Sequence, residues 1–530
     1  MISLLDCTLR DGGYVNDWKF GYNNIINIFE RLVDSNVDVI EVGFLDERRR
    51  FDINRTIMPD TVSLNRIFSH LDKKNASVIA MIDYGTCNIN NIQPREETFI
   101  DGIRVIFKKH LREPAMQFCA ELKKLGYKVY AQLVSVTSYN DDELLDLIRL
   151  ANEVEPFAVS MVDTYGLMHQ NNLMHYFEVL NLNLKESISI GYHGHNNFQM
   201  GYANCISMIS QSNKTNRNLL VDGTIYGMGK SAGNAPLELI MMHLNRLGPE
   251  KYDINQILEA IDTSIMEFYQ PATWGYNFFF YIAALNNCHP NYVSFLLNKH
   301  TLSIKSINDI LGNLSEGKSL LYDKNYIEEL YLDYQKNTVN DTHIINALFD
   351  QINDRNILLL GPGLRKKNHE KAIKKYIEVY NPVVITINRI DDRIKEDFIF
   401  LCNSKRYLQL TSQLSREDHC IIATSNLTKT GKNEFDFIIN YESLLENAPI
   451  VADSAIIMIL KLLSKSSCGE IALVGLDGYT NSTAVEFSKE EGADQIVNIS
   501  GYINTYIMNF ISSIDNKVIK FLTKSKFQKK

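Results

Sequence analysis

The chain has 530 residues, of which 45% are hydrophobic, and a formal net charge of −9. This length fits two to four domains with sizeable cores, and the acidic balance argues against a binder of nucleic acids or anionic membranes. The eight cysteines form no Cys-x-x-Cys pair, which favours reduced thiols over a disulfide framework. The sequence shows no signal peptide and no membrane span, so we expect a cytoplasmic protein.

Short apolar strands alternate with amphipathic helical stretches over residues 1–245. Eight strand–helix repeats in this length predict a TIM (β/α)8 barrel, whose functional residues lie at the carboxyl ends of the strands. The predicted strands are Ser3–Leu5, Val37–Val42, Ser77–Met81, Gly102–Ile106, Lys128–Val134, Ala158–Val162, Ser187–Tyr192 and Leu219–Val221.

Two further regions follow the predicted barrel. Residues 246–340 are mostly helical in pattern and predict an α-helical extension of the barrel. A new α/β pattern begins at Asn356, so residues 341–530 are predicted to form a separate Rossmann-like α/β domain. Its predicted strands are Ile357–Leu360, Val383–Ile387, Phe398–Leu401, Cys420–Ala423 and Ile471–Val474.

The seventh barrel strand is followed by a His-x-His pair, His193 and His195. Side chains two residues apart on a strand point to the same face, so two imidazoles meet at one strand end. Imidazole suits Zn, Cu, Fe or Ni, and added carboxylate ligands shift the preference towards Mg or Mn. The pair therefore predicts a divalent metal site; the alternative is two polar residues hydrogen-bonded locally.

A second polar cluster, Arg10 and Asp11, follows the first predicted strand. Asp11 offers a carboxylate that completes a metal site with the two histidines. Arg10 offers a fixed cation that binds a carboxylate and stabilises an enolate. In a barrel, both clusters face the same mouth.

Three motifs in chain order, Thr8–Gly12, Tyr192–Asn196 and Gly227–Glu238, carry a resemblance to a known family. The sequence resembles the metal-dependent lyase/aldolase TIM barrels, a family that includes hydroxymethylglutaryl-CoA lyase and isopropylmalate synthase. The 4-hydroxy-2-oxovalerate aldolases are the members that it resembles most. The resemblance extends to about residue 335, where the helical region is similar to the communication domain of those aldolases.

The resemblance implies a divalent metal, Mn or Mg, bound by Asp11, His193 and His195, with Asn234 close to it. It implies that Arg10 polarises the keto oxygen of the substrate. The implied reaction is aldol chemistry through the metal enolate of pyruvate or a similar 2-keto acid, with an aldehyde as partner. Glu41 is placed in the barrel mouth, where it contacts substrate or holds Arg10; Asp163 contacts substrate or has a structural role.

One position departs from the aldolase pattern. Those aldolases carry a catalytic His three residues after the metal-binding Asp, and here that residue is Tyr14. A free Tyr has a pKa of about 10 and is a poor base at neutral pH. Tyr14 is therefore a candidate proton donor, a substrate contact or a packing residue. Tyr292, in a segment similar to the tyrosine-bearing segment of the aldolases, and a metal-bound water are the alternative bases.

Two other functions remain open for the barrel. One is Claisen chemistry with an acyl-CoA, and the other is a non-catalytic metal-binding scaffold that serves the C-terminal domain. We expect a homo-oligomer that acts on small molecules and not on nucleic acids.

In the C-terminal domain, Gly361 and Gly363 flank Pro362 after a strand, which suits a nucleotide phosphate or a plain tight turn. Val383–Asn388, Phe398–Arg406 and Leu473–Tyr479 resemble parts of sialyltransferase-like domains of bacterial surface-polysaccharide enzymes. This resemblance implies a sugar nucleotide as ligand; a structural or oligomerising role is the alternative.

Overall fold

The computed structural model describes residues 1–529 except 271–272, 300, 364–368, 392, 411–413, 415–418, 430–434, 449–450 and 480–498. The chain divides into two compact units, Met1–Pro290 and Asn291–Lys530. This division falls inside the predicted helical region, so the boundaries at 245 and 340 stay predictions. In the described part of the chain, none of the helices combines the length and the apolar composition that a membrane crossing requires.

The first unit contains a closed barrel of eight parallel strands. β1 pairs with both β2 and β9, which closes the sheet, and the short β3 adds to the edge of β2. All eight predicted strands are present, with ends that differ by three residues at most, so the TIM-barrel prediction is confirmed. The strands are β1 Ile2–Asp6, β2 Val39–Leu45, β3 Ile57–Met58, β4 Ser77–Asp83, β5 Gly102–Phe107, β6 Lys128–Leu133, β7 Ala158–Asp163, β8 Ser189–Gly194 and β9 Leu219–Gly223.

Helices surround this barrel and pack on the outward-facing strand residues. The helices are α1 Thr8–Asp11, α2 Gly13–Asn16, α3 Tyr22–Asp34, α4 Thr61–Phe68, α5 Arg112–Lys124, α6 Asp141–Val154, α7 Gln170–Asn183, α8 Gly201–Ser210, α9 Leu237–Leu247, α10 Ile254–Ala260 and α11 Phe278–Leu285. Apolar residues of α1 and α3 to α10 form one large core with the outward strand residues.

The inside of the barrel is layered, because alternate strand residues point inward. An apolar layer includes Leu5, Val39, Tyr130 and Leu220. Two residues further along three of these strands are Glu41, Gln132 and Asp222, all buried and all polar. The barrel therefore has an apolar floor and a buried polar layer above it, towards the carboxyl ends of the strands.

The described residues of the second unit form a seven-stranded parallel sheet in the order β14-β13-β12-β11-β10-β15-β16. The sheet confirms the predicted C-terminal α/β region, and two short strands, β14 and β16, were not predicted. The strands are β10 Ile357–Leu360, β11 Val383–Ile387, β12 Phe398–Leu401, β13 Ile421–Thr424, β14 Phe437–Ile439, β15 Ile471–Val474 and β16 Ile519–Phe521. The helices are α12 Pro290–Asn298, α13 Ile304–Leu311, α14 Glu316–Ser319, α15 Lys324–Gln335, α16 Thr342–Ile352, α17 Glu370–Tyr380, α18 Ser404–Leu410, α19 Tyr441–Leu444, α20 Ala455–Ser464 and α21 Ile499–Ser512.

Candidate metal centre

Three side chains with metal-ligand chemistry meet at the carboxyl ends of β1 and β8. Asp11 ends the one-turn helix α1, His193 lies in β8, and His195 follows that strand. The Nε2 atoms of His193 and His195 lie 3.5 Å and 4.0 Å from Asp11 Oδ2. One ligand atom from each residue falls within 4.8 Å of the others. All three are buried, and no more than 5% of any of them is exposed.

Asn234, which is predicted to lie close to the metal, is at the same place. Its Nδ2 donates a 3.0 Å hydrogen bond to Asp11 Oδ1, and its backbone forms an antiparallel bridge with His195. Its Oδ1 is buried and has no hydrogen-bond partner. Buried polar atoms are nearly always satisfied, so an orphaned amide oxygen beside a carboxylate and two imidazoles fits a cation-binding site.

The electrostatics of the cluster also fit a metal. Burial works to raise the pKa of Asp11, but Arg10 and the two imidazoles hold it well below its ordinary value. Burial lowers the pKa of His195 to about 4. Asp11 is thus ionised and His195 neutral near neutral pH, which are the states that a metal ligand needs. The donor set therefore fits a divalent cation.

Arg10 is fixed by two carboxylates beside the cluster. Its Nε donates a 2.7 Å hydrogen bond to Glu41 Oε2, and its Nη1 donates to Asp11 Oδ2. In the described parts of the chain, the hydrogen bonds of Arg10 involve its Nε and Nη1 and leave Nη2 without a partner. Glu41 was predicted either to contact substrate or to hold Arg10, and the hydrogen bond from Arg10 Nε favours the second role.

Two charged residues that the sequence analysis missed complete a buried ionic network. Asp222 Oδ2 lies 3.1 Å from His193 Nδ1 and accepts a 2.6 Å hydrogen bond from Arg104 Nη2. Arg104 also donates to Glu41 Oε2 at 3.3 Å, so it links the two acids. With Nδ1 directed at Asp222, His193 presents Nε2 to Asp11, and Asp222 therefore orients a predicted metal ligand. Charged residues at inward positions of apolar strands are the signal that could have found both.

Tyr14 lies on α2, in an aromatic cluster beside the site. Its ring centroid is 4.8 Å from that of Trp18 and 6.3 Å from that of Phe44. Lys230 Nζ lies 5.0 Å from the Tyr14 centroid. The geometry shows Tyr14 packed at this position, and its role in proton transfer stays a prediction.

Asp163 has a clear structural role. Its carboxylate accepts the backbone N–H groups of Leu167 and Met168 at 2.8 Å and 2.9 Å. Burial raises its pKa to about 6. These bonds shape the turn after β7, which favours the structural reading of Asp163 over the substrate contact.

Tyr292, the other predicted base, belongs to the second unit. It is fully buried; its hydroxyl shares its one proton between the carbonyls of Lys318 and Leu321 and accepts from the N–H of Asp323. These bonds give the hydroxyl a local structural role. A catalytic role of Tyr292 stays a prediction.

Gly361 and Gly363 follow β10, where their backbone meets the loop after β15. Gly363 N donates to Gly475 O at 2.6 Å. A Cβ at either glycine would lie within 2.6 Å of the Gly475 carbonyl oxygen. Close backbone approach therefore accounts for both glycines, and nucleotide binding at this turn stays a prediction.

A parallel (β/α)8 barrel with an Asp and two His at the carboxyl ends of its strands defines the class of metal-dependent barrel enzymes. Residues 1–264 match the family described as HMGL-like, and through this barrel the chain belongs to that family. It is therefore an enzyme of the metal-dependent aldolase and lyase class.

Curated relatives match about half of the chain. A 4-hydroxy-2-oxovalerate aldolase of Marinomonas sp. (strain MWYL1) is 25% identical over 272 residues, which are 50% of this chain and 78% of that protein. An oxaloacetate decarboxylase of Mycobacterium tuberculosis (strain ATCC 25618 / H37Rv) is 24% identical over 274 residues, covering 50% and 76%. Among solved structures, a hydroxymethylglutaryl-CoA lyase from Pseudomonas aeruginosa aligns with a TM-score of 0.42 and 14% identity, covering 51% of this chain and 94% of that chain.

Proposed function

We propose that the barrel catalyses aldol cleavage or condensation between a 2-keto acid such as pyruvate and an aldehyde. The observation that carries this proposal is the placement of Arg10 beside the Asp11, His193 and His195 cluster. A cation site and a fixed guanidinium at one point suit a reaction in which negative charge develops on a keto oxygen. The aldolase relative from Marinomonas supports the same reaction class.

Asp11, His193 and His195 would hold the cation, with Asn234 next to it. When bound, the cation supplies a Lewis acid for the keto oxygen of the substrate. The mixture of imidazole and oxygen donors suits Mn²⁺ best. Mg²⁺ is the second candidate: it prefers oxygen ligands, and only part of this donor set supplies them.

The residues of the chain orient the other parts of the reaction. In the cleavage direction, the C4 hydroxyl loses its proton, the C3–C4 bond breaks, and the electron pair moves onto the keto oxygen. Arg10, fixed by Glu41 and Asp11, directs Nη2 at the developing charge. A proton then adds to C3, which completes the 2-keto acid. We assign both proton transfers to Tyr14, which stands where the aldolases carry His: as the phenolate it takes the proton of the C4 hydroxyl at the aldehyde half of the site, and as the phenol it returns that proton to C3.

A second candidate is decarboxylation of a 2-keto dicarboxylic acid. In this reaction the C3–C4 bond to the distal carboxylate breaks, CO2 leaves, the electron pair moves onto the keto oxygen and a proton then adds to C3; no hydroxyl proton has to be removed. Tyr14 in place of a histidine base favours this candidate, and so does the decarboxylase relative from M. tuberculosis.

Exchange of the pyruvate methyl protons for deuterium tests the proposed function. We expect exchange with Mn²⁺ or Mg²⁺ that a chelator stops and that Asp11→Asn and His193→Ala abolish. His175→Ala is the matched control, because His175 is an exposed histidine bonded to Asp141 on the helical shell. Absence of exchange with any 2-keto acid, despite bound metal, would contradict the proposal and favour a scaffold.

For the second unit, binding of a sugar nucleotide is proposed from the sequence resemblance alone. A thermal-shift screen of the full chain with sugar nucleotides tests it. We expect a shift that depends on ligand concentration; no shift at millimolar ligand would favour a structural role for this unit.

A further inference from the structure

Lys230 is the residue after Gly229, whose backbone packs against the candidate metal centre. Its N–H donates a 3.0 Å hydrogen bond to Asp11 Oδ1, and its carbonyl accepts from Gly233 N–H at 3.0 Å. The preceding Gly229 has no room for a side chain, since a Cβ there would lie 2.1 Å from Asn234 Nδ2. The backbone of Lys230 is therefore fixed beside a predicted metal ligand.

The side chain of Lys230 has no acidic partner. It is half-buried, and within the described residues it forms no ion pair with an Asp or a Glu. Its Nζ lies 5.0 Å from the ring centroid of Tyr14. A cation–π contact compensates only part of the hydration that an ammonium loses on partial burial.

The positive charge of Lys230 acts on its surroundings. Burial lowers the pKa of His289 to about 4, and the positive charge of Lys230 contributes to this shift. The acids of the site are committed elsewhere: Asp11 and Glu41 both accept from Arg10. An unpaired cation beside a candidate active site attracts anions to it.

We propose that Lys230 binds a second anionic group, a carboxylate or a phosphate, at the aldehyde-derived end of the substrate. This inference rests on the proposed aldol function. Arg10 and the cation site account for the 2-keto acid end, whereas Lys230 lies over Tyr14, the residue assigned to proton transfer at the aldehyde half. The preferred aldehyde is thus an acidic one.

Matched pairs of 2-keto acids test this inference by calorimetry on the Mn²⁺-loaded full chain. 2-Oxoglutarate and 2-oxopentanoate differ only in the distal carboxylate, as do 2-oxoadipate and 2-oxohexanoate; 5-phosphono-2-oxopentanoate carries the phosphate-like group. We expect the anionic member of at least one pair to bind about ten- to a hundredfold more tightly, as a charge-assisted hydrogen bond allows. The phosphonate is compared with 2-oxopentanoate, its uncharged counterpart. The anionic compound that binds most tightly relative to its uncharged counterpart shows whether the site prefers a carboxylate or a phosphate.

Variants show whether Lys230 causes the preference. Lys230→Met and Lys230→Gln should bring the ratio close to one, and Lys230→Arg should retain most of it. Lys124→Met is the matched control: Lys124 is exposed in the last turn of α5, at the amino-terminal end of the barrel. Circular dichroism melts show that each variant is folded.

Two results would overturn the inference: equal affinities within every pair, or a preference that survives in both Lys230→Met and Lys230→Gln. The pyruvate exchange assay separates this failure from failure of the proposed function. If pyruvate protons exchange but the anionic 2-keto acids bind no more tightly, only the role of Lys230 is refuted. An anion preference without exchange removes only the aldol chemistry.

Discussion

His193 is held on both sides of its ring by carboxylates. Asp222 accepts at Nδ1 and Asp11 lies at Nε2, with distances of 3.1 Å and 3.5 Å. Burial works to lower the pKa of His193, and its hydrogen bonds to the two acids raise it. In a fraction of the molecules the His193 imidazole is therefore protonated, and a metal that binds at Nε2 has to displace this proton. The apparent metal affinity should rise with pH for this reason.

Asp222→Asn tests the orienting role of this carboxylate. We expect about ten- to a hundredfold weaker Mn²⁺ binding, because the imidazole loses the acceptor that fixes its ring. Electron paramagnetic resonance of free Mn²⁺ measures the affinity. Asp101→Asn is the control: Asp101 accepts from Lys73 before β5, and its loss should lower stability without changing metal affinity. Equal affinities for the native chain and Asp222→Asn would contradict the role.

Asp6 makes stability depend on pH. Burial raises its pKa to about 7, while its carboxylate accepts from Thr8 Oγ1 at 2.6 Å. The folded state thus holds a proton that the unfolded chain releases above about pH 4. The stability contribution is complete below the unfolded pKa and is lost as the pH rises through about 7. Thermal melts of the metal-free protein should show a falling Tm over this range, and Asp6→Asn should flatten it; an unchanged slope would contradict the assignment.

The sequence predicted the site residues that belong to a local motif. It missed Asp222 and Arg104, which contact those residues and orient them. Asp11, His193 and Asn234 lie in three recognisable segments, and the structure brings them together. Asp222 and Arg104 carry no motif of their own. Their contacts depend on which strand residues face inward at the same height, and that register is set by closure of the whole barrel.

At the scale of elements, the loop between β9 and α9 presses its backbone against the site. A Cβ at Gly229 would lie 2.7 Å from Asp11 Oδ1 and 2.1 Å from Asn234 Nδ2. Gly229→Ala should therefore displace one predicted ligand and weaken Mn²⁺ binding at least tenfold, a loss of about 1.4 kcal/mol. Calorimetric titration with Mn²⁺ measures this change.

Gly248→Ala is the control for this substitution. A Cβ at Gly248 meets no atom within 4 Å, and its position after α9 lies outside the loop. We expect native metal affinity for this variant. If Gly229→Ala also binds Mn²⁺ with native affinity, the loop backbone moves without disturbing the site, and the prediction is contradicted.

The parallel strands of four or more residues were predictable, and the shorter edge strands were not. Strands buried on both faces have near-continuous apolar sequences, as in β10 and β15. β14 and β16 have three residues each and lie at the two edges of their sheet. Three residues are too few to show a period, so only pairing with a neighbour identifies such strands.

At the scale of the molecule, the site draws on both ends of the barrel sequence. Asp11 follows β1, whereas His193 and Asn234 are contributed by β8 and the loop after β9, and pairing of β1 with β9 brings them together. Metal binding should therefore protect three distant segments at once. Hydrogen–deuterium exchange should show slower exchange with Mn²⁺ in residues 5–15, 189–197 and 227–236.

Peptides from β11 and β12 in the second unit serve as the reference, and their exchange should not change with metal. Protection confined to one of the three barrel segments would contradict a shared site. Equal protection of β11 and β12 would mean that metal acts on the whole chain and not on the barrel mouth.

The central claim is that Asp11, His193 and His195 bind one divalent cation. Anomalous diffraction from crystals of the Mn²⁺-loaded protein tests it most directly. The account predicts a single strong peak within bonding distance of Asp11 Oδ2 and of both Nε2 atoms. A peak on the other side of the His193 ring, between Cys7 and Asp222, which also form a group that could hold a metal, or no peak in the barrel, would contradict it.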